Sequence, residues 1–135
     1  MDAAKFAPIE NPDTEPYWQS IRDGRLSIQR CVECGTHRHP PSPVCHSCQS
    51  FEREWVVSPG RGRVWSFAIV REPLEGWSGE LPNVIAIVEL EEGVKIVSSI
   101  GGPEAEEIKI GTEVEIEFRS SPSGTTLPYF YVKSR

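Results

Sequence analysis

The stretch Cys31-Val-Glu-Cys34-Gly-Thr-His-Arg-His-Pro-Pro-Ser-Pro-Val-Cys45-His-Ser-Cys48 holds all 4 cysteines of a 135-residue chain. Two C-x-x-C units stand ten residues apart in it. A two-residue gap lets one tight turn aim both sulfurs at a point, and two such turns supply a tetrahedral site with zinc–sulfur distances of about 2.3 Å. Gly35, directly after the first pair, gives that turn a permissive backbone. The spacing therefore predicts one zinc ion held by Cys31, Cys34, Cys45 and Cys48. Since the chain fills all four positions, none is left for water or substrate, and the ion is structural. Such a site is worth on the order of 10–16 kcal/mol of apparent binding energy, more than an appendage of about 30 residues gains from its own burial. Iron in the same four sulfurs and a redox-active disulfide pair are the alternatives.

His37, His39 and His46 sit close by in sequence, but four cysteines complete the shell without them. Together with Arg30 and Arg38 they are expected to offset the double negative charge of zinc bound to four thiolates.

On the N-terminal side, residues 1–12 are polar and broken by proline, which predicts an arm without fixed structure of its own. Residues 13–23 carry helix signals: Asp13 or Thr14 as cap, Glu15 and Pro16 in the first turn, Gly24 as the stop. Tyr17, Trp18 and Ile21 fall on one side of that helix. Short strands at 26–30 and 52–57 flank the metal segment, and Gly60 and Gly62 separate this part from the rest.

Beyond Gly62 the pattern is one of strands, at 63–71, 84–91, 94–100, 113–119 and 126–133. The first is expected to place Val64, Ala68 and Val70 on one face and Trp65, Phe67 and Ile69 on the other, with both faces largely covered. In 113–119, Val114, Ile116 and Phe118 point inward and Glu113, Glu115, Glu117 and Arg119 outward. Five strands with short turns and no room for crossover helices predict a small antiparallel barrel of the OB type. Residues 72–83, with Gly76, Trp77, Gly79 and Pro82, are expected to form a mobile loop. The fold class is mainly β: an arm and helix over 1–24, a rubredoxin-like zinc ribbon over 25–59, and a five-stranded OB-fold barrel over 60–135.

Composition narrows the function. A net charge of −6 repels phosphate backbones and argues against nucleic acid. Residues 1–13 lack the basic and apolar regions of a secretory signal, and no apolar run approaches the roughly 20 residues of a membrane span. The expectation is a cytoplasmic protein without a membrane partner, where glutathione keeps thiols available for metal. With its cysteines committed, the chain has no spare thiol nucleophile, and it lacks a nucleophile elbow, a P-loop or an H-E-x-x-H motif. The acidic pairs Glu91-Glu92 and Glu106-Glu107 read as solvated surface charge. No catalytic residue is assigned. Tyr17, Trp18, Ile21 and Trp77 are large groups with little local chain to cover them: either they are anchors for a partner, or Tyr17, Trp18 and Ile21 pack on the chain's own ribbon or barrel.

Further motifs fall in a recognisable order: Tyr17-Trp18, Gly24-Arg25-Leu26, Gln29-Arg30-Cys31, Cys34-Gly35, Pro40-Pro41 and Pro43 before Cys45, then Gly60-Arg61-Gly62 with Val64. Leu81-Pro82 before Val84-Ile85-Ala86 and Ile110-Gly111 before Val114 complete the set. This closely resembles, over about residues 16–131, the acyl-CoA-associated OB-fold family with an N-terminal rubredoxin-like zinc ribbon, a former domain of unknown function. The resemblance implies a non-catalytic accessory subunit in a hetero-oligomer with a thiolase-like acyl-CoA enzyme, with acyl-CoA at or near the interface. That enzyme would be a retro-aldol lyase of steroid side-chain breakdown, supplied in trans or fused in a longer protein. A MaoC-like enoyl-CoA hydratase is an alternative partner. A single-stranded nucleic-acid binder, a role both OB barrels and zinc ribbons serve, is the alternative from another class, although Glu113, Glu115 and Glu117 occupy the place of a basic groove. In this picture the ribbon and helix dock on the enzyme, and the barrel and its long loop help shape the acyl-CoA entrance.

Overall fold

The computed structural model describes residues 11–72, 82–120 and 124–133. Among the described residues the single α-helix, α1 (Glu15–Arg22), begins where Asn11 folds back: Asn11 Oδ1 accepts the backbone N–H groups of Asp13 at 2.9 Å and Thr14 at 3.0 Å. The capping side chain is thus Asn11, not Asp13 or Thr14; Thr14 holds the N-cap position, but its side chain makes no cap bond. Pro16 sits in the first turn, where its missing N–H costs nothing. Gly24, at φ +77°, ends the helix as Arg25 N donates back to Ser20 O at 2.9 Å.

Three antiparallel strands follow in the spatial order β2-β1-β3: β1 (Leu26–Cys31), β2 (His37–Arg38) and β3 (Arg53–Ser58). β1 is central and almost wholly buried, so Leu26 and Ile28 cannot be left in water. A hydroxyl pair, Ser20 Oγ to Ser27 Oγ at 2.7 Å, fastens α1 to it.

Five further strands, β4 (Arg61–Val70), β5 (Asn83–Leu90), β6 (Lys95–Gly101), β7 (Glu113–Ser120) and β8 (Thr126–Val132), form the OB-fold barrel in the order β4-β5-β6-β8-β7. β7 returns to β4 at Glu113–Glu115, which closes it. The pairing is not antiparallel throughout: β6 and β8 run parallel, joined only at Ile100–Phe130 and Gly101–Tyr131. Parity requires this, because an odd number of strands cannot alternate in direction all the way round a closed ring.

A second correction concerns β4. The register slips between Val64 and Ser66, so one extra residue enters the strand there. Every side chain beyond the slip changes face. Phe67 and Ile69 therefore join Val64 against the core, opposite Ala86 and Val84, while Ala68 turns outward, as does Val70 across from Asn83. The expected grouping of Val64 with Ala68 and Val70 fails for this reason.

Val64, Val88, Val114 and Phe130 are fully buried at the barrel's centre. Tyr17, Ile21, Leu26 and Ile28 belong to the same apolar cluster, so helix, ribbon and barrel share one core. Residues 1–10 and the greater part of 72–83 lie outside the described residues, so neither the unstructured arm nor the mobile loop is assessed.

Candidate metal centre

Each cysteine pair sits on a knuckle, and the two are built alike. In the first, Cys31 N donates to Thr36 O and Gly35 N to Cys31 O, both at 2.9 Å; in the second, Cys45 N donates to Ser50 O and Gln49 N to Cys45 O, again at 2.9 Å. The residue after each second cysteine is left-handed, Gly35 at φ +78° and Gln49 at φ +64°. Glycine takes that conformation freely and glutamine only under strain, so the repeat is one of geometry, hidden by a difference in residue type.

The knuckles bring all four sulfurs within 4.8 Å of one another. Cys31 and Cys48 stand 3.5 Å apart and Cys34 and Cys45 3.6 Å apart. These are not disulfide lengths, which are about 2.05 Å. They lie close to the edge of a tetrahedron with 2.3 Å metal–sulfur bonds, about 3.8 Å. Cys31 and Cys45 are fully buried and Cys34 and Cys48 exposed, so a metal here has a dry side and a wet side.

Without a cation the four groups conflict. Thr36, through its hydroxyl and its backbone, holds the Cys34 thiol down at about 6. Backbone hydrogen bonds from Cys48 and Ser47 lower Cys45. At Cys48 a backbone bond with Ser50 pulls downward, but the Cys31 sulfur, burial and the other two sulfurs outweigh it and push the thiol up to about 12. Four thiolates cannot coexist in so small a volume unless a dication neutralises them. The donor set fits zinc, and Cys31, Cys34, Cys45 and Cys48 are the residues that would hold it as a structural ion.

No histidine joins the cluster. His39 instead packs beside Tyr17 with ring centroids 5.3 Å apart, and burial holds it down at about 4. Of the positively charged neighbours, Arg30 is half in solvent and paired with Glu54 at 2.6 Å, whereas Arg38 is buried.

The proposed partner anchors divide. Tyr17 is 5 % exposed and Ile21 0 %, because the apolar side of α1 is spent on β1 and the barrel; neither reaches the surface as a docking group. Trp18 stands edge-on to Tyr17 at 5.0 Å and stays half-buried, lining a groove of about 370 Å³ with Pro40, Pro41, Val97 and Leu127. Trp77 lies outside the described residues. The carboxylates Glu91 and Glu106 are exposed and ion-paired with Arg61 at 3.0 Å and Arg71 at 3.1 Å.

One surface was not singled out from the sequence. Ile85 and Ile87 alternate with buried Val84, Ala86 and Val88 and so face outward, with Ala68 beside Ile85 and Val97 beside Ile87. Val97 is 67 % exposed and Trp65 51 %, with Lys95 Nζ 5.0 Å from the Trp65 ring centroid. Across Val97 this apolar sheet face runs on into the groove beside Trp18. The unbroken apolar run 84–88 was the signal: a strand with one wet face would have alternated.

Comparison with known proteins agrees with this architecture. Residues 18–54 match the family model for the ChsH2 rubredoxin-like zinc ribbon domain, and residues 55–119 the model for the ChsH2 C-terminal OB-fold domain. A probable enoyl-CoA hydratase alpha subunit of Thermomonospora curvata is 37% identical over 128 residues, 95% of this chain. The chain spans only 40% of that relative's length. A DUF35 domain-containing scaffold protein of Methanothermobacter thermautotrophicus is 35% identical over 109 residues, 79% of this chain and 82% of the relative. Among solved structures, the Ltp2-ChsH2(DUF35) aldolase superposes with a TM-score of 0.84 at 36% identity, covering 93% of this chain and 98% of that one. Ribbon, barrel and sequence thus agree, and the chain belongs to the DUF35 family of rubredoxin-like zinc ribbon and OB-fold proteins.

Proposed function

We propose that this chain is a non-catalytic accessory subunit that docks on a thiolase-like acyl-CoA enzyme and supports its fold and active site. The observation that carries the reading is the outward apolar face of β4, β5 and β6, continuous with the groove beside Trp18. A monomer that buries its core well has no use for Trp65, Ile87 and Val97 on its outside, whereas an interface concentrates such groups at its centre. The similarity to a DUF35 chain in an aldolase, and to a scaffold protein, supports the same role. The chemistry then stays on the partner, a retro-aldol cleavage of a steroid side-chain acyl-CoA thioester being the reaction that the family resemblance favours.

In this reading the barrel face and Trp18 join the ribbon and helix in docking, and Tyr17 and Ile21 support that surface from the core. A MaoC-like hydratase partner is the second reading, supported by the relative that is a probable enoyl-CoA hydratase alpha subunit. The outward row Glu113, Glu115 and Glu117 opposes a nucleic-acid role.

Co-expression with a thiolase-like enzyme and, separately, with a hydratase tests this by size exclusion and thioester turnover. The expected result is one heteromeric peak with the aldolase-type enzyme, active only in the complex, and split by Val97→Glu without loss of zinc. An enzyme equally soluble and active without the chain would remove the proposal.

A further inference from the structure

Arg38 is 4 % exposed, and among the described residues it makes no ion pair. Its Nε donates to Gln29 Oε1 at 2.9 Å, and its Nη2 donates to Ser42 O at 2.8 Å. Ser42 N donates to the same Gln29 oxygen at 2.8 Å. All these acceptors are neutral. Arg38 Nη1 and Gln29 Nε2 are buried without a partner. A guanidinium taken out of water with no opposing charge is strongly unfavourable, so its counter-charge should be sought nearby.

The strand register indicates where. Arg38 lies directly across from Gln29 on β1, and Cys31 lies two residues beyond Gln29, on the same face of that strand. Ser42, the other anchor of the guanidinium, precedes Cys45 by three residues. Arg38 therefore ties together the two segments that lead into the two buried ligands, Cys31 and Cys45. A zinc ion bound by four thiolates carries two net negative charges, and Cys31 brings them to the strand face that Arg38 and Gln29 share. Arg30 reaches the first knuckle beside Gly35, but its charge is shared with Glu54 at 2.6 Å and partly screened by solvent.

We propose that Arg38 is the buried counter-charge of the metal centre, a positioning residue that sets how tightly the four thiolates hold their ion. Half of the site's net negative charge is then offset from its dry side, behind Cys31 and Cys45, while water screens the exposed Cys34 and Cys48. This assignment is independent of any partner enzyme.

Zinc affinity, measured on the full chain against a competing chelator, tests it. Arg38→Gln should weaken zinc about tenfold or more, the range found when groups behind metal ligands are removed, and Arg38→Lys should recover part of the loss. Gln29→Glu separates charge from mere bracing: it gives Arg38 a carboxylate and strengthens the hydrogen-bonded tie, yet spends the positive charge before the thiolates feel it. A counter-charge role requires Gln29→Glu to bind zinc more weakly. In the cobalt-substituted protein, Arg38→Gln should also move the sulfur-to-metal charge-transfer band to lower energy, because thiolate electrons lose a stabilising cation. Zinc held as tightly or more tightly by Gln29→Glu, or an unmoved cobalt band, would overturn the assignment. Should Arg38→Gln fail to fold, Gln29→Glu decides alone, since it keeps the guanidinium and its bonds.

Discussion

Between Leu26 and Ser58 the chain buries Leu26, Ile28, Cys31 and Cys45 as its fully covered apolar side chains, and its loop from Thr36 to Ser50 has one two-residue strand to order it. Between Arg61 and Val132 the barrel encloses Val64, Val84, Ala86, Val88, Leu90, Ile96, Ile100, Val114 and Phe130. The barrel is held by area removed from water, at about 25 cal/mol per Å² of apolar surface. The knuckle loops of the ribbon are held by coordinate bonds at one point, while its strands β1 and β3 lean on the shared core. A structure that depends on one ion is lost in one step, while a distributed core loses stability in proportion to what is removed.

Metal removal should divide the molecule most sharply. Cys45→Ser, or exhaustive chelation, removes a contribution on the order of 10 kcal/mol from the ribbon, and the knuckles should lose amide protection while the strands β4 to β8 keep theirs. Hydrogen exchange read residue by residue checks this, and simultaneous loss of both regions would refute the separation. The converse experiment is Phe130→Ala, which opens a cavity in the barrel and should cost about 3–5 kcal/mol in urea unfolding, with zinc content unchanged. Gly60→Ala strikes the joint: a Cβ there, at φ +72°, would overlap the Ile116 side chain, so about 2–3 kcal/mol should be lost, felt by ribbon and barrel together.

A smaller effect belongs to His39. Its folded value of about 4 lies below the ordinary 6.5, so the unfolded chain takes up a proton first as the pH falls. Stability is full above 6.5 and declines between there and 4, by about 1 to 2 kcal/mol at pH 5. With zinc in excess, the wild-type Tm should fall further between pH 7 and pH 5 than that of His39→Gln. Smallest is Gln49→Gly, which relieves the left-handed strain of the second knuckle and should stabilise the zinc-bound ribbon by about 0.5–1 kcal/mol, seen as a raised melting point.

The metal centre was legible in the sequence because C-x-x-C repeated at short range is a local pattern with few structural solutions. The five barrel strands were legible for a similar reason, since alternation and turn residues are also local. What escaped was non-local. The slip at Val64 and Ser66 depends on how β4 meets β5, and nothing in RVWSFAIV announces it. The parallel seam follows from counting strands in a closed ring, not from any strand's composition. The sequence left Tyr17 and Ile21 open between partner anchors and the chain's own core, and it is the core that takes them up. Gln49 concealed the second knuckle's turn, because glutamine seldom marks a left-handed residue.

Only two residues, at 59 and 60, separate the last ribbon strand from the first barrel strand, and Gly60 is pinned there on both sides: its N–H reaches Ser58 Oγ at 3.0 Å and its carbonyl accepts from Ile116 at 2.9 Å. With the core continuous across that joint, ribbon and barrel move as one piece. The metal-tipped arm is kept at a set offset from the sheet, so a protein gripping both would have its own parts held at a spacing dictated from outside.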